Sequence, residues 1–146
     1  MARHFTHPQA ERVLPEIEAA LREALFLKSE FEGVEAELQQ FIHRVQMLGG
    51  SQVDPTRVLA LQGRREALAS RLRESIEQVH SYGCQIKDLD IGLIDFPTFY
   101  RGEEVLLCWK LGETGIRFWH GLAEGFRGRR EIDQDFLDNH GAGQPE

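Results

Sequence analysis

The apolar residues of this chain change their spacing at Gly83, and that change divides what the sequence can fold into. Before it, from Ile17 onward, they fall at steps of mostly three and four: Ile17, Leu21, Ala24, Leu25, Phe31, Val34, Leu38, Phe41, Val45 and Leu48, preceded by Val13 and Leu14. This is the period of a helix with one buried stripe. Lys28 interrupts the stripe. A second stripe follows at Val58, Leu61, Leu68, Leu72, Ile76 and Val79. After Gly83 short apolar runs alternate with glycine-containing turns, the pattern of β-strands.

The helix ends are marked locally. Thr6 can cap the first helix, and Gln9 can return the bond as a capping box. Pro8 is tolerated in a first turn, where no intrahelical donor is lost. Pro15 is expected to bend the helix, because its ring opposes the carbonyl of Glu11. Gly33 and Gly63 are soft points inside the helices. Gly49-Gly50 ends the first helix, and Val53-Asp54-Pro55 starts the second with an N-cap and a proline at its first helical position. Tyr82-Gly83 closes it with a left-handed cap. The short connection predicts an antiparallel helical hairpin over residues 6–82. Such a hairpin covers only part of each stripe, so the remainder must meet the C-terminal unit or a second copy. A homodimer is expected.

Residues 83–130 form the expected β-rich unit, with strands at 85–88, 93–96, 105–109 and 115–120. Arg101-Gly102-Glu103 and Gly112-Glu113-Thr114-Gly115 read as hairpin turns. Pro97 should end the second strand or mark it as an edge. A turn centred on Gly112 and Glu113 sets Trp109 opposite Ile116, Leu107 opposite Phe118 and Val105 opposite His120. That apolar face should lie on the helices, leaving Leu106, Cys108, Lys110, Arg117 and Trp119 on the other. A one-residue slip would exchange these roles. Residues 131–146 read as a tail, frayed from Asp138. The expected fold is α+β and a single domain over residues 1–146: a long antiparallel helical hairpin followed by a small antiparallel β-sheet.

The 146 residues suffice for one domain with a real core. The net charge of −7 argues against nucleic acid and against adsorption to an anionic membrane. Arg127-Gly128-Arg129-Arg130 is a local basic patch, read as a solvated turn. Two cysteines make no disulfide framework. Met1 to Gln9 is polar, unlike a signal peptide, and no apolar run is long enough for a membrane span. A reducing, cytoplasmic setting with free thiols follows.

Chemistry, if present, belongs to the β-rich unit. Its candidate pocket is Lys87, Asp88, Asp95, Trp109, Lys110, Glu113, Trp119 and His120. Asp88, Asp90, Asp95, Glu113 and His120 are the candidate ligands for a divalent metal, the cofactor such residues would hold. Asp88 to Gly92 opens like an EF-hand loop, but glycine arrives one position early and the twelfth position is Phe99, so that motif is rejected. A zinc site would use Cys84, Cys108, His120 and one carboxylate, without the paired spacing of zinc motifs. The bland reading makes both cysteines small buried residues and the aspartates turn caps. A Cys108–His120 nucleophile pair is disfavoured, because the expected register points them to opposite faces. Arg117, opposite Cys108 in the expected hairpin, could lower a thiol pKa but supplies no base. Trp109 and Trp119 with Lys110 and Arg117 could line a small-molecule pocket, or be core. No standard glycine-rich nucleotide motif is present.

Several runs carry a family resemblance: Phe5-Thr6 with Ala10 and Leu14-Pro15, Gly83-Cys84 with Lys87-Asp88, Gly92-Leu93 with Asp95-Phe96-Pro97, Leu107 to Glu113, Trp119-His120, and Gly125-Phe126 with Arg129. In these the chain resembles a small bacterial and archaeal family catalogued as domain of unknown function 2203, over nearly its whole length. His7-Pro8-Gln9 departs from the acidic residues more usual there, which bears on the helix cap. The resemblance implies a stand-alone cytoplasmic protein with a helical N-terminal half, and brings no established activity or catalytic residues. Two readings therefore stand. One is an oligomeric binding or interaction protein that uses the sheet unit as its recognition surface. The other is a metal-dependent, hydrolase-like enzyme with an Asp/Glu/His site in that unit.

Overall fold

The computed structural model describes residues 3–49 and 54–142. Gly50 and Val53, assigned above to the helix connection, and residues 143–146 of the expected tail lie outside them. The elements run α1 (His7–Leu48), α2 (Pro55–Ser81), β1 (Gln85–Asp88), β2 (Leu93–Tyr100), β3 (Glu103–Lys110), β4 (Phe118–Gly121), a 3-10 turn (Phe126–Gly128), β5 (Arg130–Glu131), α3 (Gln134–Asn139) and β6 (His140–Gly141). The fold is α+β, with two long helices followed by a small antiparallel sheet. The chain divides into two compact units, and the division falls inside the helices: Arg22–Ser75 forms one, and Met1–Leu21 with Ile76–Glu146 forms the other.

Arg22–Ser75 is an antiparallel helix pair. Its core is Leu27, Val34, Leu38, Leu61 and Leu68, with Phe31, Phe41, Val58 and Leu72 packed around it. Leu27 belongs to the stripe, although the spacing rule named Leu25 in its place. Ion pairs flank this seam: Arg57 with Glu37 at 2.6 Å, Arg64 with Glu30 at 3.0 Å, Arg65 with Glu35 at 3.0 Å and Arg71 with Glu23 at 3.2 Å. Exposed pairs of this kind are each worth about 0.2–1 kcal/mol, so the apolar seam supplies most of the stabilisation. Asp54 caps α2 as its sequence requires, its Oδ1 accepting the Thr56 N–H at 3.0 Å. Pro55 is the first helical residue.

The other unit begins with the expected capping box: the Gln9 N–H donates to Thr6 Oγ1 at 3.2 Å, and the Thr6 N–H donates to Gln9 Oε1 at 2.9 Å. α1 continues past Pro15. Gly83 takes φ +101° and closes α2, and an added Cβ there would meet the Arg3 side chain at 2.5 Å. The strands form a meander in the order β1-β2-β3-β4-β5, with β6 also on β2. Phe5, Ile17, Leu21, Ile94, Phe96, Leu107 and Trp109 are fully buried in this unit.

Three expectations need correction. The second strand does not end at Pro97 but continues to Tyr100. Pro97 is tolerated because its carbonyl accepts the Phe5 N–H at 2.7 Å, on the flank away from β3. The nitrogen of an extended residue points to the same side as its carbonyl, so no bond to β3 is lost, and Pro97 does occupy a local edge. The described part of the tail is structured past Asp138: Asp133 caps α3 through the Phe136 N–H at 2.8 Å, Phe136 is buried, and His140 and Gly141 pair with Tyr100 and Phe99. Third, β3 and β4 pair one residue away from the expected register. Leu106 faces His120, Leu107 faces Trp119 and Cys108 faces Phe118. The connection, residues 111–117, is longer than a two-residue turn. The Glu113 carboxylate holds the Lys110 N–H at 2.7 Å, and Glu11 of α1 holds the Ile116 N–H at 2.8 Å.

Gly33 and Gly63 are exposed helical positions where an added Cβ meets nothing within 4 Å. Gly33→Ala and Gly63→Ala should each stabilise the protein by about 0.5–1 kcal/mol, an increase to be read from urea midpoints at unchanged slope.

Candidate functional site

Side chains directly opposite one another in an antiparallel pair share a face, and the observed registers bring three polar ones together. Asp95 of β2 faces Cys108 of β3, and Cys108 faces Phe118 of β4, two residues before His120. Asp95, Cys108 and His120 therefore lie on one face of three neighbouring strands. Each offers a ligand atom within 4.8 Å of the other two. Their exposures are 1%, 0% and 3%, so the cluster is closed to solvent.

His120 Nε2 lies 3.1 Å from Asp95 Oδ1, and its Nδ1 lies 2.8 Å from the Gly121 carbonyl. A carbonyl oxygen only accepts, so Nδ1 carries a proton. Burial, and next the Asp95 carboxylate, push the Cys108 thiol up to about 12. A thiol so disposed is protonated at neutral pH, which removes it as a free nucleophile even though the register correction returns it to the face of His120.

Beside this cluster sits a second. Arg129 donates to both oxygens of Glu113 at 2.7 and 2.9 Å, and to the Cys108 carbonyl at 3.4 Å. Its guanidinium lies 4.0 Å from the Phe118 ring centroid and 4.6 Å from that of Phe126. Arg129 is therefore not part of a solvated basic turn. Its neighbour Arg130 pairs with Glu124 at 2.7 Å and stacks on Trp119 at 4.8 Å.

The remaining candidates do not converge with these. Lys87 and Asp88 are exposed on β1, and Asp88 Oδ1 accepts the Asp90 N–H at 3.0 Å, the turn-cap role. Lys110 places its ammonium 5.8 Å from the Phe126 ring. Trp109 and Trp119 project to the opposite face of the sheet. Trp109 is fully buried and donates to the Glu113 carbonyl at 3.1 Å, and Trp119 stacks on Phe136 at 5.0 Å. Of the five proposed metal ligands, only Asp95 and His120 meet. Cys108 joins them, while Cys84 stays apart with its thiol 3.3 Å from the Val79 carbonyl. Sequence reasoning placed Arg129 in the basic turn and in the family motif with Gly125-Phe126, but left it out of the candidate site.

A family model described as an uncharacterized conserved protein, DUF2203, matches residues 3–132. The chain belongs to this family. Asp95, Cys108, Glu113, His120 and Arg129 all lie within the matched span, whereas α3 and β6 of this DUF2203 protein lie beyond it. No curated protein and no solved structure matches the chain.

Burial likewise pushes the Cys84 thiol up to about 12, so at pH 8 roughly one molecule in ten thousand carries that thiolate. Because the folded value is raised, this group's contribution to stability is fully present below the ordinary thiol range and is lost as pH rises from about 9 towards 12. In the native protein neither cysteine should react with Ellman's reagent at pH 8, and both should react in denaturant. A rapid reaction before unfolding would show that the thiols are accessible.

Proposed function

We propose that this DUF2203 protein is a non-catalytic, self-associating interaction protein of a reducing compartment such as the cytoplasm. The observation that carries this reading is an apolar groove of about 750 Å³ in the helix pair, lined by Leu38, Phe41, Ile42, Val45, Val58 and Leu59. Within it Val45, Ile42 and Leu59 are 42%, 50% and 68% exposed. Large apolar side chains gathered at one place mark an interaction surface. A second copy of the chain is the occupant that suits it. A two-fold contact lays a patch on itself, which an apolar surface tolerates and a singly charged one does not. The one charged residue in the lining, Arg65, already has Glu35 as its partner.

This surface, in the helices where self-association is expected, takes the recognition role in place of the sheet, whose Trp109, Trp119, Glu113 and Arg129 are engaged internally. The enzyme reading needs ligands and substrate to meet. Asp88 caps a turn, Glu113 is paired with Arg129, and Asp95 and His120 are buried. Two free cysteines suit a reducing compartment. Among the described residues no helix is long and apolar enough to cross a membrane.

Light scattering at micromolar concentration should return twice the 16.7 kDa of one chain. Leu59→Glu or Ile42→Glu, both exposed in the single chain, should return the single-chain mass with the helical circular dichroism of the isolated chain retained. A wild-type protein of single-chain mass would overturn the proposal.

A further inference from the structure

We infer that Asp95, Cys108 and His120 form a binding site for a zinc-class divalent cation at the centre of the sheet. Hydrogen-bond accounting leads there first. His120 donates through Nδ1 to the Gly121 carbonyl, which leaves the Nε2 lone pair directed at Asp95 Oδ1, 3.1 Å away. An ionised carboxylate also only accepts. Two acceptors face each other in a site that water does not reach, and something positive must lie between them. A proton would serve, at the expense of an imidazolium or a carboxylic acid in the interior. A cation serves all three side chains at once.

Charge and donor chemistry agree with the cation. One carboxylate and one thiolate balance a divalent ion, so the loaded site is neutral, as burial demands. On binding, the Cys108 S–H bond breaks, its proton leaves to solvent and its electron pair forms the sulfur–metal bond; no electron changes owner. The nitrogen, oxygen and sulfur set fits a borderline-soft ion of zinc type better than calcium or magnesium, which prefer oxygen alone. A tetrahedral zinc with bonds of about 2.0–2.3 Å sets its ligand atoms roughly 3.3–3.8 Å apart. The three atoms here, all within 4.8 Å of one another, need only small adjustments to meet that spacing. The backbone carbonyl on Nδ1 fixes the ring as the outer partner of a ligating histidine does. Three protein ligands leave the fourth position to a water molecule that enters with the ion, a neutral ligand that keeps the charge balanced. Burial on three strands makes the ion a structural bolt for the sheet and not a catalytic centre.

The test uses the full chain, purified without an affinity tag or chelator. Elemental analysis should find about one zinc-class ion per chain. After chelation, titration with Co²⁺ should give tetrahedral ligand-field bands and a thiolate-to-metal charge-transfer band, reaching an end point at about one equivalent. Cys84→Ser should keep that band. Cys108→Ser should abolish it and weaken binding beyond the roughly 10–100-fold that loss of an outer partner causes. His120→Asn and Asp95→Asn should weaken binding comparably, with circular dichroism reporting that each variant is folded. Folded wild-type protein that takes up no Co²⁺, or takes it up without a thiolate band, would overturn the inference. So would a band lost in Cys84→Ser and kept in Cys108→Ser.

Discussion

The Glu113 carboxylate is the fixed point of the sheet. It accepts the Lys110 N–H at the end of β3, and the Nη2 of the Arg129 guanidinium donates to both of its oxygens. The connection it closes determines how many residues separate β3 from β4, and so which of them face each other. Strand side chains alternate between faces, so that count decides the composition of a whole face. With the observed count, a carboxylate, a thiol and an imidazole meet at the centre and both tryptophans go to the opposite side. With one residue fewer, Cys108 and His120 would be strangers. The Arg129 guanidinium also stacks on the Phe118 and Phe126 rings, which adds cation–π attraction to the Glu113 pair.

What the sequence made legible was local. The capping box of Thr6 and Gln9, the Asp54-Pro55 start and the Gly83 stop each depend on groups within a few residues of one another, and each stands where the chemistry of those residues puts it. The turn at Arg101 and Gly102, both with positive φ, is of the same kind. The β3–β4 register was not legible because a distant group enters it: Glu11, on the first helix, takes the Ile116 N–H. No window around Gly112 contains that information. The site suffered accordingly. Asp95 and His120 stood out by type, but His120 was set on the face opposite Cys108, a parity that the long-range Glu11 contact helps to fix. α3 escaped notice because six residues are too few to show a helical period, and its anchor is the tertiary burial of Phe136.

In the helix pair, the charges have a division of labour with the apolar seam. Glu23, Glu30, Glu35 and Glu37 all come from α1, and Arg71, Arg64, Arg65 and Arg57 all come from α2. Each pair adds little energy, yet their one-sided arrangement discriminates between pairings. Two copies of α1 laid along this seam would set acid against acid, and two copies of α2 would set base against base. The apolar residues thus provide attraction without preference, while the charges select α2 over a second α1 as the partner.

β2 gathers the two ends of the described chain. Near its Tyr100 end it pairs with His140 and Gly141, and the Pro97 carbonyl holds Phe5. The His140 imidazole then accepts the N–H of His7, the first residue of α1, at 2.9 Å. The last strand thereby completes the first helix. Residues far apart in the sequence are neighbours here, so the connectivity of the chain could be rewired with little disturbance to its contacts. A short linker could join the ends and a new opening be cut elsewhere, as circular permutation does, while the same side chains continued to meet.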